Sequence, residues 1–497
     1  MRRMGKIAAW VTGFVLGSVL TVVRRADGEA AASGVFHVAT DGHDEFGGGS
    51  AQRPFATINF AIRQAADGST IVVAPGTYPG RVGLDRRYPK GLTIRSEVPY
   101  QARLRNQANQ VIRCYGCQGV TIEGFDIAHD GPGAAPIVVH IDGDSGKGGR
   151  DIVLSNNIIH DSYKNDLLKI NNGAHGVRVV GNVFYNQASH DEHIDVNSAI
   201  DVVIEDNVFF NDYAGSGRVP PGDSASFIVI KDSNENDDGV LGAELITVRR
   251  NVFLGWQGSR GHGFLLVGED GKPYFEARDV MVENNLFLGN SSEPMRSPFG
   301  VKGAEKTVFR NNTVVGDFPG KAFATRINRE GENRRGDGIR FYNNVWDAPG
   351  RTMMKFSDTR REDLESFTMS HNLFWNGGAS IPMSAGDAVN YTCDRDRVVA
   401  NPGLADPRGL VPPRWVPEKK AFADGSTSID AVKARLVDRF ARPATARAVM
   451  DRADARNAPD DDIRGKKRGD HPDIGAFEVG DAAARPALAR RSGRAEP

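Results

Sequence analysis

Along the middle of the chain, short runs in which apolar and polar residues alternate are followed by an Asn and then by two or three apolar residues in a row. The phrase recurs as IVLSNNII, VRVVGNVF, VVIEDNVF, ITVRRNVF, VMVENNLF, TVFRNNTV, IRFYNNVW and FTMSHNLF, so the shared Asn falls at Asn157, Asn182, Asn207, Asn251, Asn285, Asn312, Asn344 and Asn372. An earlier, weaker copy, VTIEGFDI, puts Gly124 at that place, and most intervals lie between 25 and 34 residues. Alternation in segments rich in Val, Ile and Phe predicts strands, since helices would repeat their apolar positions with a longer period over longer stretches. A unit of this size cannot bury its own apolar face, so the units must stack into a solenoid of parallel coils. The Asn of every coil then occupies the same turn, where it is expected to take left-handed geometry and to bond neighbouring backbone or the Asn of the next coil.

The two ends agree with this picture. PFATINFAIRQAADGSTIVVAPGTY reads as a short amphipathic helix after Pro54, closed at Asp67-Gly68, then a strand and a turn. A helix there would cover the open strand edges of the first coil. After the last repeat come NPGLADP and DHPDIGAFE, with a mostly helical stretch near Ser428 to Arg452 between them, and the Ala-, Arg- and Pro-rich tail after Gly480 is expected to be disordered. At the start, basic Met1 to Lys6, an apolar run from Ile7 to Val23 and the small residues Ala30 to Ala32 read as an export signal cleaved before Ser33, with an uncleaved membrane anchor as the alternative. The expected organisation is therefore a signal or anchor over 1–32, a parallel β-helix over 33–400, a closing segment over 401–480 and a tail over 481–497. Together the repeats resemble the parallel β-helix superfamily that includes pectate lyases and polygalacturonases, over roughly residues 35 to 380. The resemblance implies an all-β, right-handed parallel β-helix with a short N-terminal capping helix and a partly helical C-terminal segment.

Charge narrows the partners. With 62 Lys and Arg against 63 Asp and Glu, no overall field draws the chain to nucleic acid or to a membrane surface, so any polyanion must be met locally. Cys114-Tyr115-Gly116-Cys117 is a lone CxxC without a second pair or a His cluster, which argues against zinc. The pair is either oxidised in an exported protein or simply two small side chains at a strand and its turn.

Upstream of the Asn strand each coil carries another strand, and three consecutive copies hold charges: NDLLKINNG, DEHIDVNS and FIVIKDSN. Placing Leu168 and Ile170, Ile194 and Val196, and Ile228 and Ile230 inside leaves Lys169, Asp195 and Lys231 facing out in one column, flanked by Asp166, Asp191 and Glu192. Adjacent parallel strands lie about 4.8 Å apart, close enough for such side chains to share one ion or one sugar. Carboxylates so crowded repel one another unless a hard divalent cation intervenes, and calcium, with its many oxygen ligands, fits best. The other reading is a solvated acidic face. Lys302 continues the column past Gly268 and Arg326 extends it, which makes both, with Lys169, candidates for binding substrate carboxylates, while a turn residue is the default for His262.

These residues closely resemble polysaccharide lyase family 9, calcium-dependent pectate lyases that use an aspartate on one coil, an Asp-Asp-x-x-Asp cluster on the next and a lysine base on a following one. Asp166 precedes the cluster, Asp191-Glu192-His193-Ile194-Asp195 supplies it, and Lys231 follows 36 residues after Asp195. Glu192 departs from the pattern by one methylene, which lengthens one ligand arm. The resemblance implies cleavage of an acidic polysaccharide by calcium-assisted β-elimination, with Lys231 as base and Asp166, Asp191, Glu192 and Asp195 as calcium ligands; the export reading implies a secreted, periplasmic or cell-surface protein, and nothing in the sequence calls for more than a monomer. A hydrolase or epimerase on the same coil, and a non-catalytic glycan-binding surface protein, remain the alternatives.

Overall fold

The computed structural model of the protein describes residues 33–133, 136–291, 293–318 and 322–480, so the segments read as export signal and tail lie outside the described residues. Strands of successive coils pair in parallel and build two 12-stranded sheets and one 9-stranded sheet. One coil runs from the 9-stranded sheet (Ile194–Asn197) into the first 12-stranded sheet (Ile200–Glu205), round the Asn turn, and into the second 12-stranded sheet (Val208–Phe210). The fold is the all-β parallel β-helix expected from the repeat. Its core is a continuous column, in which inward residues such as Phe184, Phe209, Phe253 and Phe287 stack ring on ring at 4.5–5.1 Å.

The N-terminal helix, Ile58–Gln64, is capped by the Thr57 side chain, which accepts the Phe60 N–H, and it buries Ile58, Phe60, Ala61 and Ile62 in the solenoid core at its first coils. At the other end of the sequence, the segment carrying the helix Ile429–Phe440 packs along the outer face of the second 12-stranded sheet. There Trp415, Phe422, Val432, Leu436 and Phe440 share a buried cluster with Val183, Tyr185, Val208, Phe210, Val252 and Leu286. The runs of consecutive apolar residues after each ladder Asn are thereby explained, since these strands are covered on both faces. Among the described residues no comparable apolar cluster covers the 9-stranded sheet, whose outward column carries the charged residues.

Each ladder Asn accepts from the backbone N–H and side-chain amide of the Asn before it and donates to the next, from Asn157 through Asn182, Asn207, Asn251, Asn285, Asn312 and Asn344 to Asn372. The left-handed geometry expected of these Asn residues sits one position earlier. Asn156, Asp206, Arg250, Asn284, Asn311, Asn343, His371, Gly124 and Gly181 have φ between 51° and 77°. That residue turns the chain, which frees the following Asn to point inward along the stack. Gly124 accordingly matches Asn156, and in that coil Phe125 holds the ladder position, its N–H donating to Asn157 Oδ1 at 3.0 Å.

Asn251 is fully buried, accepts from Asn207 and donates to Asn285 Oδ1 and the Ile204 carbonyl. Replacing it with Leu strands several buried polar groups at once, each costing about 1–3 kcal/mol. Asn251→Leu is therefore expected to lower the free energy of unfolding by at least about 3 kcal/mol in urea titration, and a loss below half of that would show that the ladder is dispensable.

Candidate active site

Three consecutive strands of the 9-stranded sheet, Leu168–Asn171, Ile194–Asn197 and Ile228–Lys231, bring the charged residues together. Leu168, Ile194 and Ile228 pair as inward neighbours, and Lys169 lies beside Asp195 on the outward face. Lys231 differs from the expected column: it pairs with Asn197, and Val229 stands beside Asp195. Strand alternation repeats every two residues, so Val229 and Lys231 share a face and differ by one outward position. Arg326 stays in the Lys169–Asp195 column, since it pairs with Gly300 and, through it, with Leu266 and Val229. Lys302 follows Val301, the partner of Val267, as Lys231 follows Ile230, and so continues the Lys231 column past Gly268.

Asp166, Glu192 and Asp195 are all buried, and one oxygen of each lies within 4.8 Å of the others. Asp166 lies in the turn before its strand, where Asn165 adopts a left-handed conformation, and its Oδ1 accepts the Glu192 N–H at 3.0 Å. Lys169 Nζ bonds Asp195 Oδ2 and lies 3.6 Å from Asp166 Oδ2. Asp195 Oδ1 is buried without a hydrogen-bond partner among the described residues. Asp191 stands beside this trio, accepting the Asn165 N–H at 3.0 Å. Burial and then the Asp166 charge push its carboxyl up to about 6. Burial and then the charges of Asp166 and Asp195 hold Glu192 well above the usual carboxylate range, and burial likewise raises Asp195. Crowding of acids in a dry site opposes their ionisation, and a further cation entering the cluster would favour the charged forms.

Lys231 is 13% exposed and bonds Glu269 Oε2 at 2.6 Å, with Asp270 Oδ1 at 3.6 Å. Burial favours its neutral amine, but the carboxylates of Asp195, Glu269, Glu192 and Asp270 outweigh this and hold the ammonium well above the ordinary lysine value. Glu269 and Asp270 were missed by sequence reasoning. They follow Gly268 in a loop with no periodicity, folded by the fully buried Glu276, which accepts the N–H groups of Glu269, Asp270 and Lys272 at 2.8, 2.8 and 3.1 Å. Lys302 bonds Glu330, and Arg326 bonds Asp358 at 3.1 Å.

The nearby histidines take no part in the acid cluster. His193 is buried and stacked on Phe227 at 4.1 Å, its Nε2 3.0 Å from Asn211 Oδ1, and burial lowers its pKa to about 3. His190 pairs with Asp223 at 2.9 Å on the surface. His262 lines a recess of about 590 Å³ with Glu269, Asp270, Lys302 and Arg326.

The donor set is therefore all oxygen, from buried carboxyls on two adjacent coils, with an unpartnered carboxylate oxygen among them. Such a set fits a hard divalent cation and leaves little for a softer metal. Cys114 and Cys117 are joined by a disulfide elsewhere in the same sheet's path, which removes them as metal ligands. Among the described residues no helix is long and apolar enough to cross a membrane.

No protein-family model matches the chain, and no curated protein matches it in sequence. Among solved structures it is similar to XylC in complex with xylose, with a TM-score of 0.50 at 12% identity over 90% of this chain and 98% of that one. It is also similar to the pectate lyase Pel9A, with a TM-score of 0.49 at 13% identity over 91% and 98%, and to a rhamnogalacturonan lyase, with a TM-score of 0.45 at 13% identity over 71% and 90%. At such identities the likeness to XylC speaks for the fold alone.

Proposed function

We propose that the protein is an exported polysaccharide lyase that cleaves a uronic-acid-containing polymer by calcium-assisted β-elimination. The observation that carries this reading is the meeting of buried Asp166, Glu192 and Asp195 from two coils, with Lys231 on the next coil of the same open sheet. Asp166, Glu192 and Asp195, with Asp191 beside them, would hold the calcium ion. When bound, that ion supplies a Lewis acid for the uronate carboxylate, which makes the adjacent C–H more acidic.

Neutral Lys231 Nζ would take the proton from the carbon next to the carboxylate, the C–H electron pair forms the double bond, and the C–O bond breaks with its pair leaving on the sugar oxygen, which takes a proton from water. A base must first be neutral, and Lys231 in the ion-free chain is not. Once the charges of Asp195 and Glu192 are compensated, the effect of burial, which favours the free amine, weighs more heavily at Nζ. Glu269 at 2.6 Å fixes the direction of the amine. Lys169, Lys302 and Arg326 would bind neighbouring carboxylates of the polymer, and Arg326 offers the planar fork that suits them. The Cys114–Cys117 disulfide is in keeping with an oxidising compartment outside the cytoplasm.

The test is incubation with pectate, alginate and glucuronan, each with calcium and with chelator. An ultraviolet-absorbing unsaturated product that needs calcium is expected on at least one polymer. New reducing ends without that absorbance would mean hydrolysis, and binding without cleavage would mean a glycan-binding protein.

A further inference from the structure

Beyond Lys231 the open sheet continues through Leu265–Val267 and Phe299–Val301 to Thr325–Ile327, three coils or about 14 Å further at the usual strand spacing. At that height lies a second recess of about 380 Å³, lined by Arg296, Arg326, Arg329, Arg360, Asp358 and Asp363 among others. It shares Arg296, Arg326 and Arg329 with the recess that reaches back to Glu269 and Asp270, so the two form one path from Lys231.

Four guanidiniums and two carboxylates line this second recess, with Glu362 3.8 Å from Arg360 and Asp387 3.4 Å from Lys355. Asp358 serves Arg296 at 3.6 Å, Arg326 at 3.1 Å and Lys355 at 3.0 Å, and Asp363 lies 3.8 Å from Arg329. Arg296 Nε is buried without a hydrogen-bond partner among the described residues. Burial and then the neighbouring Arg296 charge push Arg326 below the usual arginine value. Bringing the partly buried guanidiniums of Arg296 and Arg326 to one carboxylate costs free energy that a bound anion accepting from their forked N–H groups would offset.

We propose that this recess is a distal anion subsite, which takes a carboxylate or a sulfate ester several sugar units along the same polysaccharide from the bond at Lys231. The inference rests on the reading of the open sheet as the substrate face and adds that the polymer must be acidic at this remote position as well. Arg296 and Arg329 become specificity-determining residues, and oligomers too short to reach them lose affinity.

The experiment is calorimetric titration with trimers and hexamers of galacturonate and of guluronate, and with a sulfated hexasaccharide and its trimer. The titrated protein is the full chain with calcium, carrying Lys231→Ala so that nothing is cut. At least one hexamer is expected to bind about tenfold more tightly than its trimer, the worth of a charge-assisted hydrogen bond. Adding Arg296→Gln and Arg329→Gln should erase that gain and leave trimer affinity unchanged. Arg329→Gln alone, at a guanidinium 45% exposed and so harmless to folding, should remove part of it. A gain seen only with the sulfated series assigns a sulfate ester, and one seen with a uronate series assigns a carboxylate. A gain that survives the double substitution, or no gain in any series, overturns the proposal. The wild-type product assay separates the two readings: length dependence without unsaturated product keeps the subsite and sinks the elimination, and product with an unaltered length gain does the reverse.

Discussion

Lys231→Ala is expected to lower the rate of unsaturated-product formation by at least about 10²-fold, the lower end of what a positioned acid–base group contributes. The loss should come without unfolding. Lys231 lies on the outward face of its strand, and Glu269 and Asp270, which it would leave behind, line a recess open to solvent together with Lys302. A sharper variant is Lys231→Arg, which keeps the positive charge and can keep both ion pairs. A guanidinium stays protonated in proteins, so it cannot take the proton. Both variants should therefore be inactive and melt close to the wild type, as measured by product absorbance and thermal unfolding side by side. Activity of the Arg variant within tenfold of the wild type would mean that Lys231 acts only through its charge.

Much of the fold was legible because one turn repeats. The Asn spacing marked every coil from 157 to 372, and the strand alternation correctly placed Leu168, Ile194 and Ile228 inside. The errors share a cause. A period of two says which face a residue is on but not which of two outward positions it holds, so Lys231 was set beside Asp195 where Val229 stands. The same limit merged Lys302, which follows Lys231, with Arg326, which lines up with Asp195. Partners in loops left no periodic trace at all: Glu269 and Asp270 owe their place to the buried Glu276, seven and six residues further on. The C-terminal cover was foreshadowed only by the runs of consecutive apolar residues in Val183–Tyr185 and Val208–Phe210, which a strand with one wet face would not carry.

The second large effect concerns the acid cluster. Asp195→Asn removes a buried carboxylate that faces Lys169 on one side and has a free oxygen on the other. If that oxygen is a calcium ligand, the substitution raises the calcium concentration needed for activity by at least about tenfold, comparable to the loss of one charge-assisted contact. The ion-free protein has its own signature. Glu192 and Asp191 have folded-state pKa values raised above their ordinary ones, Asp191 from 3.8 to about 6, so their contribution to stability is present in acid and is lost as pH rises through the folded values. In chelator, the melting temperature should fall as pH is raised across that window, and saturating calcium, by favouring the charged carboxylates, should flatten the curve.

Calorimetric titration of calcium into the chelator-treated wild-type chain and into Asp195→Asn at neutral pH measures the claim itself. One ion per chain is predicted, bound with release of protons from the raised carboxyls and at least about tenfold more weakly in the variant. No binding heat in the wild type, or the same affinity in both proteins, would contradict a calcium site built from Asp166, Glu192 and Asp195.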